Sequence, residues 1–106
     1  MLFALICKDK PGHLQVRLDA RPDHVAFLNG LNADKKLAFA GPFLDADGKP
    51  NGSMVVIEAT DLAGAEALAA ADPYAKAGLF EKVEIKPWTW VFNKPAEARY
   101  RRRGSP

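Results

Sequence analysis

Two uninterrupted apolar runs, Leu2 to Cys7 and Met54 to Ile57, constrain the fold of this chain more than any other feature of its sequence. A strand that is buried on one face alternates apolar and polar residues, whereas these two runs do not alternate. Each run therefore predicts a strand that is buried on both faces. The chain has 106 residues, which is the size of a single domain with one core. We therefore expect a sheet whose two faces are both covered.

The rest of the sequence up to residue 92 alternates between the patterns of helices and strands. Asp19 can cap a helix whose first turn contains Pro22, a position where the missing proline donor does no harm. The inward face of this helix begins at His24 and continues at helical spacing to Leu31. The predicted strands and helices, in order, cover Leu2 to Lys8, Ala20 to Ala33, Leu37 to Phe43, Ser53 to Ala59, Leu62 to Ala71 and Val83 to Phe92.

The order β-α-β-β-α-β predicts an α+β fold, namely a ferredoxin-like antiparallel sheet with the strand order 4-1-3-2. Two helices cover only one face of such a sheet. Because the first and third strands are apolar on both faces, the second face needs another cover. A two-fold homodimer that packs sheet against sheet provides it, so we predict that the chain binds a second copy of itself.

The single cysteine, Cys7, indicates a reducing compartment because the chain cannot form an internal disulfide. The apolar start of the chain lacks the basic flank of a signal peptide and ends after too few residues. No other stretch approaches the length that spans a membrane. We therefore expect a cytoplasmic protein that does not bind membranes.

A basic tail follows the predicted domain. Residues 93–106 contain five basic residues and one acidic residue, so this segment carries a net charge of +4 and the remainder carries −2. The segment has no apolar periodicity and is rich in proline and arginine, which predicts a mobile extension. We thus divide the chain into a domain at 1–92 and a tail at 93–106. Clustered arginines also suit a nucleic-acid-binding arm, but the domain lacks the exposed aromatic pattern of an RNA-binding sheet.

The predicted topology brings one histidine and one aspartate to the same end of the sheet. His24 lies near the start of the first helix and Asp72 follows the end of the second. A helix N-terminus disfavours an imidazolium, so His24 is suited to act as a neutral base that Asp72 orients. The residues predicted to line a substrate pocket at this end are Lys8, Gly41, Pro42, Ser53 and Tyr74.

Each of these residues also has a purely structural interpretation. A histidine on an apolar helix face is often a core residue, and an Asp-Pro pair commonly ends a helix. Ser53 lacks the flanking turn of a nucleophile elbow, so we assign it a hydrogen-bonding role and not that of a nucleophile. The two histidines and one cysteine make a poor metal set, and glycine-rich phosphate loops are absent. The sequence thus predicts no metal and no cofactor.

Several motifs together resemble the YCII-related family over residues 1 to about 92. They are Arg21-Pro22-Asp23-His24, Phe39-Ala40-Gly41-Pro42, Gly52-Ser53, Ala71-Asp72-Pro73-Tyr74, Gly78-Leu79-Phe80 and Ile85-Lys86-Pro87-Trp88-Thr89-Trp90. The resemblance implies a ferredoxin-like subunit of the dimeric α/β barrel group. It also implies an acid and base pair, which falls on His24 and Asp72 in this sequence. A few family members are linked to the elimination of halide from chlorinated hydroxyhydroquinones, and the arginine-rich tail has no counterpart in the pattern.

Two hypotheses about function follow. In the first, the protein is a small cofactor-free enzyme in which His24 moves a proton and Asp72 orients it. Its substrate is then a small cyclic or carbonyl-bearing metabolite, and its reaction is an isomerisation, an elimination or a hydrolysis. In the second, a dimeric binding or accessory module holds a small ligand without turning it over. The sequence does not separate these two hypotheses, because both need a pocket with a few polar groups.

Overall fold

A computed structural model describes residues 1–95 of the chain. It contains four strands and three helices, which are β1 Leu2–Asp9, α1 Leu14–Ala33, β2 Leu37–Leu44, β3 Pro50–Glu58, α2 Leu62–Ala71, α3 Pro73–Lys76 and β4 Phe80–Trp88. The predicted tail falls mainly at 96–106, outside the described residues. Within the described part, no helix is both long and apolar enough to cross a membrane.

The four strands form one antiparallel sheet in the order β2-β3-β1-β4. This is the predicted ferredoxin-like order, so the α+β fold class is confirmed. The register places Cys7 of β1 opposite Ser53 of β3. The central position of β1 and β3 explains why their sequences are apolar on both faces.

The core lies between the sheet and the helices. Side chains alternate along a strand, so Phe3, Leu5 and Cys7 of β1 point towards the helices and are almost fully buried. Leu31 of α1 and Ala65 of α2 complete the buried cluster from the helical side. α2 begins where the sequence predicted, because the Asp61 side chain accepts a hydrogen bond from the Gly64 backbone at 2.8 Å.

The prediction that the first helix starts at Ala20 was wrong. α1 begins six residues earlier, at Leu14, and Pro22 lies inside it. An internal proline removes one backbone hydrogen bond, yet the helix continues because one long face is buried over its whole length, through Arg17, His24 and Leu31. His24 therefore lies in the middle of α1, and the argument from a helix N-terminus does not apply to it.

The last strand differs from the prediction of Val83 to Phe92 at both ends, since β4 begins three residues earlier, at Phe80. β4 ends at Trp88, and the chain then turns so that Trp90 lies 4.9 Å from Phe39, measured between ring centroids. Trp88 lies 5.6 Å from Phe39, so the three rings form an aromatic cluster. In register, Phe39 faces Val56, which is only 1% exposed. Part of the second sheet face is thus covered within one chain.

Candidate active site

His24 and Asp72 are in direct contact. The Asp72 Oδ1 atom lies 2.8 Å from His24 Nδ1 and also accepts a hydrogen bond from the Tyr74 backbone at 2.9 Å. Both side chains are buried, with His24 8% and Asp72 6% exposed. An ionised carboxylate only accepts hydrogen bonds, so this contact places the histidine proton on Nδ1 and leaves Nε2 without one in the neutral ring.

Local sequence fixes the position of Asp72. The residue ends α2 and caps α3, and Pro73 occupies the first position of α3, where proline is favoured. Its extended backbone, with φ of −62° and ψ of 128°, turns the chain sharply between the two helices. The same carboxylate that caps α3 therefore points across the turn to α1 and His24.

Tyr74 fixes the plane of the histidine ring. Its ring stacks on His24 with a centroid distance of 3.8 Å and an angle of 15° between the planes. Tyr74 is 1% exposed, and this burial raises the pKa of its phenol, although the nearby Arg17 and Arg21 cations oppose the shift. Edge contact with Phe80 at 6.1 Å holds the tyrosine from another side. The imidazole is thus oriented by a hydrogen bond and by stacking.

A buried ion pair next to the tyrosine was not predicted from the sequence. Arg17 Nε and Nη2 donate to Asp9 at 2.7 and 3.0 Å, and Nη2 also donates to Ser53 Oγ at 2.8 Å. The Arg17 guanidinium carbon lies 4.7 Å from the centre of the Tyr74 ring. Burial disfavours the charged guanidinium, but the hydrogen bond and charge of Asp9 outweigh it and raise the pKa of Arg17. These contacts tie β1, β3, α1 and α3 together beneath the histidine.

These residues were missed because α1 was predicted to begin too late. Along a helix that starts at Leu14, Arg17, Arg21 and His24 are spaced by four and three residues and therefore share one face. The alternation that buries Cys7 also continues to Asp9. Together, these two patterns are the sequence signal that could have identified the arginine and its partner.

A cavity of about 270 Å³ opens beside this network. Its polar walls come from five residues of α1, β3 and α3, and most of the other lining is apolar; the polar residues are Arg17, Arg21, His24, Ser53 and Tyr74. No fully buried polar side-chain atom of the described residues lacks a hydrogen-bond partner. Since His24 Nε2 has no partner among them, this atom is accessible, and the histidine contributes to the cavity wall.

Of the five residues predicted to line the pocket, four do so and Lys8 does not. Gly41 and Pro42 of β2 line the cavity together with Ser53 and Tyr74, while Asp72 lies behind the histidine. Lys8 is not part of this group. Because side chains alternate along β1, it points away from the helices, and its Nζ lies 3.5 Å from Glu81 Oε1. Ser53 bonds to Arg17 and not to His24, so no Ser-His-Asp chain of hydrogen bonds is present.

Neither a metal cluster nor a reactive thiol is part of this arrangement. Among residues 1–95, no group of three histidine, cysteine or acidic side chains is arranged to hold a metal ion. Burial raises the pKa of the Cys7 thiol to about 12, and the nearby Asp72 and Asp9 charges contribute to the same shift. The thiol therefore stays protonated near neutral pH and is a poor nucleophile.

Comparison with known proteins identifies relatives that match most of the chain. The protein YciI of Escherichia coli O6:H1 is 39% identical over 98 residues, which cover 87% of this chain and 100% of YciI. A solved structure is also similar, that of the 5-chloro-2-hydroxyhydroquinone dehydrochlorinase TftG of Burkholderia phenoliruptrix AC1100 in complex with 2,5-dihydroxybenzoquinone. It is 36% identical, has a TM-score of 0.79, and the match covers 86% of this chain and 96% of TftG.

More distant structures share the fold alone. An antibiotic biosynthesis monooxygenase is 14% identical, with a TM-score of 0.51 and coverage of 86% of this chain and 99% of its own. A family model of the YCII-related domain matches residues 1–89. With this match and the YciI relative, the chain belongs to the YCII-related family.

Proposed function

We propose that the protein is an enzyme that moves a proton on a small cyclic or carbonyl-bearing substrate, with His24 as acid and base. The observation that carries this proposal is the hydrogen bond from His24 Nδ1 to the buried Asp72, which leaves Nε2 accessible beside the cavity. A base needs a lone pair within reach of its substrate. The other ring nitrogen supplies that lone pair here.

The proposed reaction begins when Nε2 accepts a proton from a carbon or oxygen atom of the substrate. The new imidazolium is stabilised by the negative charge of Asp72 at 2.8 Å. The electron pair left on the substrate then has two outcomes. It forms a double bond as a leaving group departs, which is an elimination, or the proton returns at another atom, which is an isomerisation.

The likeness to TftG supports the elimination. A dehydrochlorinase removes hydrogen and chloride from its substrate, and the structure of TftG contains a hydroxylated quinone. A cavity of about 270 Å³ suits a ligand of this size, since a cavity of roughly 150 Å³ accepts benzene. We therefore propose single-ring compounds with hydroxyl or carbonyl groups as the substrate class.

The test measures proton transfer directly. The protein is incubated in D₂O with hydroxylated quinones and cyclic ketones, and deuterium uptake is followed by NMR; chloride release is measured with 5-chloro-2-hydroxyhydroquinone. His24→Gln is expected to lower the enzymatic rate at least about 100-fold. His13→Gln is the matched control, because His13 contacts the Pro11 carbonyl and does not line the cavity.

The outcomes separate the enzyme from its alternative. Turnover that requires His24 and survives His13→Gln supports the proposal. Binding of these compounds without turnover would instead support a dimeric module that holds a small ligand. Equal activity in the wild type and in His24→Gln would refute the role of the histidine.

We also propose that two copies of the chain pack sheet against sheet. On the face away from the helices, Ile6 of β1 lies opposite Met54 of β3, and both side chains are only partly buried. Trp88 of β4 is 37% exposed at the edge of this face. Light scattering at low micromolar concentration is expected to give twice the chain mass, and Met54→Lys is expected to lower it. A monomer at that concentration would contradict the proposal.

A further inference from the structure

Two arginines line the cavity, and among residues 1–95 only one of them has a carboxylate partner. Arg17 is 4% exposed and forms a bidentate ion pair with Asp9. Arg21 lies one helical turn further along α1 and is exposed. A charge that already has a carboxylate partner gains little from an anionic ligand. Arg21 is therefore the cation of this cavity that is available to a ligand.

The sequence around Arg21 explains why it has no helical partner within the described part of the chain. The residues three and four positions away along the helix are Leu18, Arg17, His24 and Val25, and none of them is acidic. Within residues 1–95, Arg21 makes no ion pair and no hydrogen bond. Its charge nevertheless acts on the interior of the site, because it opposes the rise in the pKa of the Tyr74 phenol.

The charge balance of the proposed reaction, on which this inference rests, points to the same residue. Arg17 and Asp9 cancel each other. When His24 accepts a proton, Asp72 balances the new imidazolium. Among the described residues, Arg21 is then the cation of the cavity wall that remains to balance the negative charge on the ligand.

We infer that Arg21 is the residue that binds an anionic oxygen group of the substrate, and that the substrate class is a small single-ring anion. The guanidinium is planar and presents paired donors, which suit a carboxylate or the two neighbouring oxygens of an ionised hydroxyquinone. The apolar wall, which includes Leu28 and Val55, suits the ring itself.

The experiment compares ionised ligands with neutral analogues of the same shape. Benzoate is paired with benzamide, and 2,5-dihydroxybenzoquinone with 2,5-dimethoxybenzoquinone, so that the two sources of the anionic group are distinguished. Dissociation constants are measured by calorimetry or ligand-observed NMR for the wild type, Arg21→Gln and Arg21→Lys. Lys36→Gln is the control, because Lys36 is an exposed cation that does not line the cavity.

Arg21→Gln is expected to weaken binding of at least one anion about tenfold and to change binding of its neutral analogue less than twofold. Arg21→Lys is expected to recover part of the loss, and Lys36→Gln to have no effect. Equal weakening of anion and analogue, unchanged anion binding, or no anion binding to the wild type would each overturn the inference. These are binding results, so they are independent of whether His24 supports turnover.

Discussion

The buried ion pair of Arg17 and Asp9 makes the most demanding prediction about stability. In Arg17→Met, the Asp9 carboxylate stays buried and loses its bidentate partner, and Ser53 loses a hydrogen-bond donor. Removing one member of a buried pair costs about 3–5 kcal/mol. The free energy of unfolding of a domain this size is about 5–15 kcal/mol, so the loss is a large part of the total. A loss of about 3 kcal/mol corresponds to a fall in Tm of roughly 12–24 °C.

The double variant Asp9→Leu with Arg17→Met separates this explanation from a simple loss of packing. It removes both charges together, so no uncompensated charge stays in the interior. We expect it to recover at least about 2 kcal/mol relative to the sum of the single variants. Urea denaturation followed by circular dichroism gives the free energies of unfolding. A cost below about 1 kcal/mol for Arg17→Met, or strict additivity in the double variant, would refute the reasoning.

Three further predictions concern single residues. Gly52→Ala is expected to lower Tm clearly, because an added Cβ would lie 2.6 Å from the Cys7 carbonyl oxygen; an unchanged Tm would contradict this close approach of β3 and β1. Burial raises the pKa of the Cys7 thiol from 9.0 in the unfolded chain to about 12 in the folded chain. Above pH 9.0 the unfolded chain therefore loses this proton first, and the free energy of unfolding falls as pH rises. Cys7→Ala should reduce the pH dependence of the free energy of unfolding by up to about 1.4 kcal/mol per pH unit. An equal pH dependence in both proteins would contradict this prediction. Pro22→Ala restores a backbone hydrogen-bond donor inside α1 and is expected to raise the free energy of unfolding by about 1 kcal/mol or more. A lower free energy of unfolding would contradict this prediction.

The fold was predictable because its main signals are local. The apolar runs of β1 and β3 identify the central strands, and the cap at Asp61 fixes the start of α2. The order of the elements then gives the topology, and the topology brings His24 and Asp72 to one end of the sheet. In the structure, the direction of the Asp72 carboxylate is fixed further because it also caps α3.

The rest of the site depends on interactions that local patterns do not reveal. Pro22 favoured a helix that starts near it, whereas burial of a long face of α1 overrides the cost of an internal proline. This difference hid Arg17, and with it the ion pair to Asp9. Lys8 was predicted to line the pocket from its position at one end of the sheet alone, whereas the alternation of β1 turns its side chain to the other face.

The central claim is that His24 presents an unprotonated Nε2 to the cavity because Asp72 holds the proton on Nδ1. Nitrogen-15 NMR of the imidazole rings, at a pH where His24 is neutral, measures the tautomer directly, and a His13→Gln background leaves the signals of His24 alone. We predict a protonated Nδ1 and an unprotonated Nε2, with this preference weakened in Asp72→Asn. A proton found on Nε2, or a tautomer that does not change in Asp72→Asn, would contradict the claim.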